Sequence, residues 1–248
     1  MSRRLTAGIC ALALALGALA SPAAARGIAF VGDSMADGLW GAFVRLNASA
    51  RAACPAEFGL YREAQNGTGL TRPDRMDWAE QVTSIGAERS PDVFLISIGL
   101  NDQQPVVGRD GTRVPLGTPE WVEAYRLNLQ NLLGRATATG ATAMVVGLPV
   151  LRDAAANAHA QLLNQIFEET ARAMQGVVYV LPWQLEGSPG FTSFGAGPNG
   201  NVVQLRAQDG VHFTQTGYDL LGQYLKPVIL WVMSDQRHDL TAATCFGA

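Results

Sequence analysis

Five short apolar runs punctuate this chain, and between them the apolar residues fall at helical spacing. Asp92-Val-Phe-Leu-Ile-Ser-Ile98 is the clearest run; it lacks the polar alternation of a half-exposed strand, so both its faces must be covered by protein. Gly27-Ile-Ala-Phe-Val31, Ala141 to Leu148 and Val177 to Leu181 read the same way, and Leu60 to Ala64 reads as a weaker strand. Doubly buried strands that alternate with helices belong to a parallel sheet, because parallel neighbours need a crossover connection. The expected fold is therefore α/β: a three-layer α/β/α sandwich around a parallel five-stranded sheet. No stretch from residue 26 to 248 reads as an inter-domain linker, so a single domain is expected.

The helices carry their own start and stop signals. Asp37 to Ala53 has Leu39, Trp40, Phe43, Val44 and Leu46 at near-helical spacing and closes before Pro55. Asp77 to Arg89 reads as a second helix. Thr118-Pro119-Glu120 opens a third with a capping hydroxyl, a proline at the first position and an early acid; Gly140 ends it. Ala154 to Gln175 is a fourth, and Gln215 to about Ser234 a fifth, with a kink expected at Pro227. Two segments interrupt the alternation. Residues 103–117 carry a hairpin signal, Val106-Val107 and Val114 about Asp110-Gly111. Residues 182–208 form a long excursion rich in Gly, Pro, Ser and Asn.

The first 25 residues are a different object. Leu5 to Ala25 carries no charge, follows Arg3-Arg4 and ends in Ala23-Ala24-Ala25. Its strongly apolar part, Ile9 to Ala20, falls short of the roughly 20 residues a membrane span needs. Residues 1–25 therefore read as a secretory signal peptide with an A-x-A cleavage site, which places the mature chain in the periplasm or outside the cell with no stable membrane insertion after cleavage. Cleavage takes two of the 18 basic residues and none of the 21 acidic ones, so the mature chain is more acidic than the whole. That balance argues against a nucleic-acid partner, which needs a basic face. Cys54 and Cys245 remain in an oxidising compartment, as a disulfide or as two buried thiols. Neither C-x-x-C nor H-E-x-x-H occurs, so no metal or other cofactor is signalled.

Sites in parallel α/β sheets lie at the carboxyl ends of the strands. That rule selects Gly32-Asp33-Ser34 after the first strand, Gly67-Thr68-Gly69 after the second and Gly99-Leu100-Asn101-Asp102 after the third. Asp209-Gly210-Val211-His212 precedes the last helix. Together they hold a hydroxyl, glycine amides, a carboxamide, a carboxylate and an imidazole, the parts of a serine hydrolase. Ser34 needs a base to take its proton, and His212 is the plausible one, since His159 and His238 lie inside or beyond helices. In a tight turn Asp209 can reach His212 and fix its tautomer. The amides of Ser34 and Gly69 and the carboxamide of Asn101 can donate to an oxyanion, with Gly67 a close competitor of Gly69. Asp33 and Asp102 read as turn braces. Arg72 and Arg206 can meet an anionic group of a substrate. Gly195-Ala-Gly197-Pro-Asn-Gly200 fits G-x-G-x-x-G formally, but it follows no clear strand and opens no helix.

These four blocks resemble those of the SGNH, or GDSL-type, hydrolase superfamily of esterases and lipases, and the resemblance runs from residue 27 to about 233. Met35 stands where that family usually has leucine. The resemblance implies a flavodoxin-like fold, no metal, Ser34, His212 and Asp209 as the catalytic residues, and an oxyanion hole from Ser34, Gly69 and Asn101. The function expected is an exported serine esterase that removes O-acetyl or other short acyl groups from cell-wall or secreted polysaccharide. Its partner would be a small acyl ester or an acylated glycan. Lysophospholipid or thioester hydrolysis and acyl transfer to a sugar hydroxyl use the same residues. A non-catalytic glycan-binding module is the non-enzymatic alternative.

Overall fold

The computed structural model describes residues 27–48, 50–53, 58–181 and 190–237. The signal peptide expected at 1–25, Cys54, Cys245 and His238 lie outside the described residues. In chain order the elements are β1 (Gly27–Gly32), α1 (Ser34–Ala48), β2 (Gly59–Ala64), α2 (Trp78–Arg89), β3 (Val93–Ser97), β4 (Val106–Val107), β5 (Arg113–Val114), α3 (Pro119–Ala138), β6 (Thr142–Val146), α4 (Ala154–Ala173), β7 (Val177–Val180), β8 (Phe194–Ala196), β9 (Val202–Gln204) and α5 (Gln215–Arg237).

The main sheet has the order β2-β1-β3-β6-β7, and every pairing in it is parallel. This is the flavodoxin-like order. Successive residues point to opposite faces, and both faces are apolar. Ile28, Phe30, Val93, Leu95, Met144 and Val146 pack with Met35, Leu39 and Phe43 of α1 and Leu221, Leu225 and Ile229 of α5. Ala29, Val31, Phe94, Ile96, Ala143 and Val145 pack with residues of α2, α3 and α4. Each fully buried Val, Leu, Ile or Phe contributes roughly 1.5–3 kcal/mol, so a one-residue slip in register, which exchanges the two faces, is strongly disfavoured. The three-layer sandwich read from the apolar runs is the fold observed.

Caps set the helix starts. The Asp77 carboxylate accepts from the Glu80 amide, Thr118 Oγ1 from the Trp121 amide and the Asp153 carboxylate from the Ala156 amide. Gly140 follows α3 at φ +88°, a left-handed turn that stops it. Helix α1 ends at Ala48 rather than Ala53; the Ala50 amide bonds back to Asn47 O at 3.0 Å, and Arg51–Ala53 is a separate 3-10 turn. The hairpin expected at 103–117 forms as β4 and β5, with Val106 opposite Val114 and the Asp110 carboxylate holding the Thr112 amide and hydroxyl. The excursion at 182–208 contains a second hairpin, β8–β9, that the apolar pattern did not signal. Helix α5 carries Pro227 inside it and continues to Arg237. Among the described residues no helix is long and apolar enough to cross a membrane.

Because β1 is flanked by β2 on one side and β3 on the other, the connections leaving the sheet diverge there. Ligands bind α/β sheets at such a switch point, outside the carboxyl ends of the strands.

Candidate active site

Strand β1 ends in Gly32 at φ +133°, and a Cβ there would lie 1.9 Å from Ser97 O. Glycine at that position lets β1 and β3 close together while the chain turns into α1. Asp33, next in sequence, has no exposed surface. Its Oδ1 accepts from the Met35 amide at 2.9 Å and so caps α1. Its Oδ2 accepts from the Gly99 and Leu100 amides, both at 3.1 Å. Burial pushes this carboxyl up to about 7; repulsion from Asp102 adds to that, and the three amides oppose it. Asp33 therefore clasps the first loop to the third, a longer reach than a local turn brace.

With the cap supplied by Asp33, the hydroxyl of Ser34 is released for another partner. Ser34 Oγ lies 2.7 Å from His212 Nε2, and His212 Nδ1 lies 2.7 Å from Asp209 Oδ2. The other Asp209 oxygen accepts from the Val211 amide at 2.8 Å and the His212 amide at 3.0 Å. The D-x-x-H spacing works because the turn folds both amides and the imidazole onto one carboxylate. With Nδ1–H donated to Asp209, Nε2 is the lone-pair nitrogen that faces the hydroxyl. The line sits at the surface: the His212 and Asp209 side chains are 36% and 48% exposed.

Burial alone would raise the Asp209 carboxyl, but the bonds from His212 Nδ1 and from the Val211 and His212 amides outweigh it and bring it to about 2. A carboxylate lowered on folding stabilises the native state fully above its unfolded range near 4 and loses that contribution as pH falls toward 2. The stability difference between wild type and Asp209→Asn should therefore begin to shrink below about pH 5 and be lost only as pH falls through and below about 2. Urea midpoints of the two proteins across that range check it. The difference should be small throughout, because the group is half exposed.

The second loop is pinned from both sides. Asn101 Nδ2 donates to Thr68 O at 2.8 Å. Asp102, also without exposed surface, accepts from the Leu70 amide (2.9 Å), the Thr71 amide (3.0 Å), Thr71 Oγ1 (2.7 Å) and Tyr125 Oη (3.0 Å). Gly69 lies between these anchors, and a Cβ on it would lie 2.0 Å from Asp102 Oδ1. Gly67 faces open space at φ +75°. The first glycine is demanded by a neighbour and the second by its own backbone. Among the described residues nothing accepts from the amides of Ser34 or Gly69, and the second Nδ2 hydrogen of Asn101 is uncommitted. These are donors available to a ligand. No three His, Cys, Asp or Glu side chains gather as a metal site among the described residues.

Of the two arginines expected at the substrate, Arg72 is engaged by a neighbouring carboxylate and Arg206 is buried. Arg72 is bound through two nitrogens to Asp74, at 2.8 and 2.7 Å. Arg206 is completely buried, with its guanidinium turned onto backbone carbonyls of Val150 and Val211, so it cannot meet a substrate from there. The expectation of a substrate role for Arg206 is corrected: its position in a Gly- and Asn-rich loop suggested exposure, and the loop instead folds over it. His159 stays apart, edge-on to Trp121 at 5.3 Å. Two groups that the sequence does not single out are Arg152, which bonds the carbonyls of the Asp209 turn, and Phe191, whose ring lies against Arg152 and Arg206; both arrive through non-local packing.

The fold, with its five-stranded parallel sheet between helices, is that of solved SGNH, or GDSL-type, hydrolases. Residues 27–228 match the model of the family DUF459, described as proteins of unknown function, and the chain belongs to that family. No curated protein matches the sequence. Among solved structures it is similar to a carbohydrate esterase family 3 protein from Talaromyces cellulolyticus, at 14% identity and TM-score 0.56, over 85% of this chain and 98% of that one. It is also similar to a carbohydrate acetylesterase family member from Sinorhizobium meliloti, at 17% identity and TM-score 0.53, over 84% and 99%. A GDSL-like lipase from Bacteroides thetaiotaomicron is similar at 19% identity and TM-score 0.50, over 83% and 87%. At these identities the likeness is one of fold.

Proposed function

We propose that the chain is an exported serine esterase that removes acetyl or other short acyl groups from polysaccharide. The observation that carries this is the unbroken line from Ser34 Oγ through His212 to Asp209, with both steps at 2.7 Å. Ser34 Oγ attacks the ester carbonyl carbon while His212 Nε2 takes its proton. The carbonyl oxygen becomes an oxyanion, met by the amides of Ser34 and Gly69 and by Asn101 Nδ2. The bond from carbon to the sugar oxygen then breaks, and His212 returns the proton to that oxygen. Water attacks the acyl-serine, gives a proton to His212, and the acid leaves as Ser34 Oγ regains its proton. Asp209 stays ionised throughout and holds the imidazolium.

Two observations support an acylated glycan over a small free ester. The relay is half exposed, which leaves room for a bulky alcohol. Two structural neighbours are named as carbohydrate esterases. Export follows from the signal peptide read at 1–25.

The test is a screen of the purified mature protein. It should release acetate from acetylated polysaccharide, hydrolyse p-nitrophenyl acetate faster than long-chain esters, and be labelled by a fluorophosphonate at Ser34, read by mass spectrometry of the peptide. Folded protein that neither labels nor hydrolyses any ester would leave a non-catalytic glycan-binding module as the better reading.

A further inference from the structure

Residues 205–214 form a small hairpin of their own. Arg206 pairs with Phe213 as an isolated antiparallel bridge, the Ala207 amide bonds His212 O at 2.8 Å, and the Thr214 amide bonds Leu205 O at 2.9 Å. Asp209 and His212 lie in the loop this closes. The loop turns carbonyls inward, and the side chain of Arg206 fills the space beneath them. Its Nη2 donates to Val211 O at 2.8 Å, its Nη1 to Val150 O at 2.8 Å, and its Nε, more weakly, to His212 O at 3.4 Å. Aromatic rings cover the cation: it lies 4.5 Å from the centre of Phe213 and 5.0 Å from that of Phe191.

A second arginine grips the same loop from outside. Arg152 Nη1 donates to Gln208 O at 2.7 Å and its amide to Gly210 O at 3.1 Å. Its stem packs so closely on Gly210 that a Cβ there would lie 2.6 Å from Arg152 Cβ. Its guanidinium lies 5.0 Å from the same Phe191 ring. The carbonyls of Gln208, Gly210, Val211 and His212 are thus all engaged, and the ones nearest the imidazole are held by Arg206.

We infer that Arg206 is a positioning residue for the proposed esterase: it locks the Val211–His212 backbone so that the imidazole stands at Ser34 before any substrate arrives. Arg152 and Phe191 complete the clamp. The inference rests on the esterase reading for its catalytic consequence. Arg206 acts through His212 and touches no substrate, so its loss slows the reaction of bound ester and leaves binding unchanged.

Arg206→Lys keeps the charge but replaces a planar fork by a point donor that cannot span these carbonyls. Misplacing a catalytic group by about 1 Å costs up to about 100-fold, so fluorophosphonate labelling of Ser34 and kcat should both fall about 10- to 100-fold. KM should stay within about two-fold. The short His212 Nδ1–Asp209 contact should give wild type a low-field proton resonance, and in the variant that resonance should broaden or vanish. An arginine that merely stabilised the fold would lower the melting temperature and leave labelling of the folded protein unchanged. Labelling at the wild-type rate together with an intact low-field resonance would overturn the inference. If wild type itself resists labelling, the esterase reading falls, and the resonance alone, lost or kept in Arg206→Lys, decides the clamp. Should Arg206→Lys not fold, Phe191→Leu removes the shared ring and keeps the arginine. Its labelling should then slow several-fold, and an unchanged rate would equally overturn the inference.

Discussion

Replacing Ser34 by alanine should lower turnover of an activated acetyl ester by about 10,000-fold or more while the protein stays folded. The first half follows from the line to His212: without Oγ there is no nucleophile for the imidazole to activate, and what remains is whatever the oxyanion donors contribute alone. The second half follows from the cap. A serine at the start of a helix is ordinarily its capping residue, and removing such a cap costs about 1 kcal/mol. Here Asp33 caps α1, and Ser34 Oγ is bonded to His212, so the fold keeps its cap. Circular dichroism and the melting temperature should match wild type to within a few degrees. The contrasting variant is Asn101→Ala, which removes one of the proposed oxyanion donors and should lower turnover about 100- to 1,000-fold. It also frees Thr68 O, so a small loss of stability accompanies it. The ordering is the content of the prediction: serine far below asparagine in residual turnover. Equal residual activity in the two variants, or a Ser34→Ala protein as fast as wild type, would remove Ser34 from the reaction.

Most of the frame was legible in the sequence because the sheet is buried on both faces. Phe94, Leu95 and Ile96 all meet protein, so the third strand writes itself as an unbroken apolar run; the strand order, with β1 between β2 and β3, departs from chain order and is implied only by the family resemblance. The end of each strand locates the loops, and Ser34, Asn101 and His212 stand out as chemistry placed where a parallel sheet puts it. Local spacing also sufficed for Asp209 and His212, three residues apart in one turn. What composition and spacing cannot carry is the third dimension of a loop. Arg206 reads as a surface cation because charged side chains mostly are; that it is buried depends on Val150, Phe191 and Phe213 arriving from separate parts of the chain. The reach of Asp33 to Gly99 and Leu100 is hidden for the same reason, since a short acidic residue after a strand looks like any turn brace. Residue type, in short, tells which groups are able to react, and non-local burial tells which of them hold the others still.

That division makes Asp102 the residue whose loss should cost the most stability in the site region. Its carboxylate takes four hydrogen bonds in a fully buried position, from the amides of Leu70 and Thr71 and the hydroxyls of Thr71 and Tyr125. Asp102→Ala leaves those donors without an acceptor. Each buried donor left unsatisfied costs about 1–3 kcal/mol, and water entering the vacated space restores part of it, so a net loss of about 3–5 kcal/mol is expected. For a chain of this size that lowers the melting temperature by roughly 6–20 °C. Asp102→Asn should be much milder. Its carbonyl oxygen can keep both bonds from Thr71, the Tyr125 hydroxyl can rotate to accept from the new amide, and only the Leu70 amide is stranded, a cost of about 1–2 kcal/mol. The two substitutions also separate stability from catalysis. The carboxylate sets the place of Gly69, whose missing side chain is what allows the contact, so the proposed oxyanion amide moves when Asp102 goes. Asp102→Ala assayed well below its melting temperature should therefore still turn over about 10- to 100-fold more slowly than wild type, with Ser34 labelled correspondingly slowly. Full turnover by the folded alanine variant would show that the second loop holds its shape without the carboxylate, and would leave Asp102 a purely local anchor for Thr71 and Tyr125.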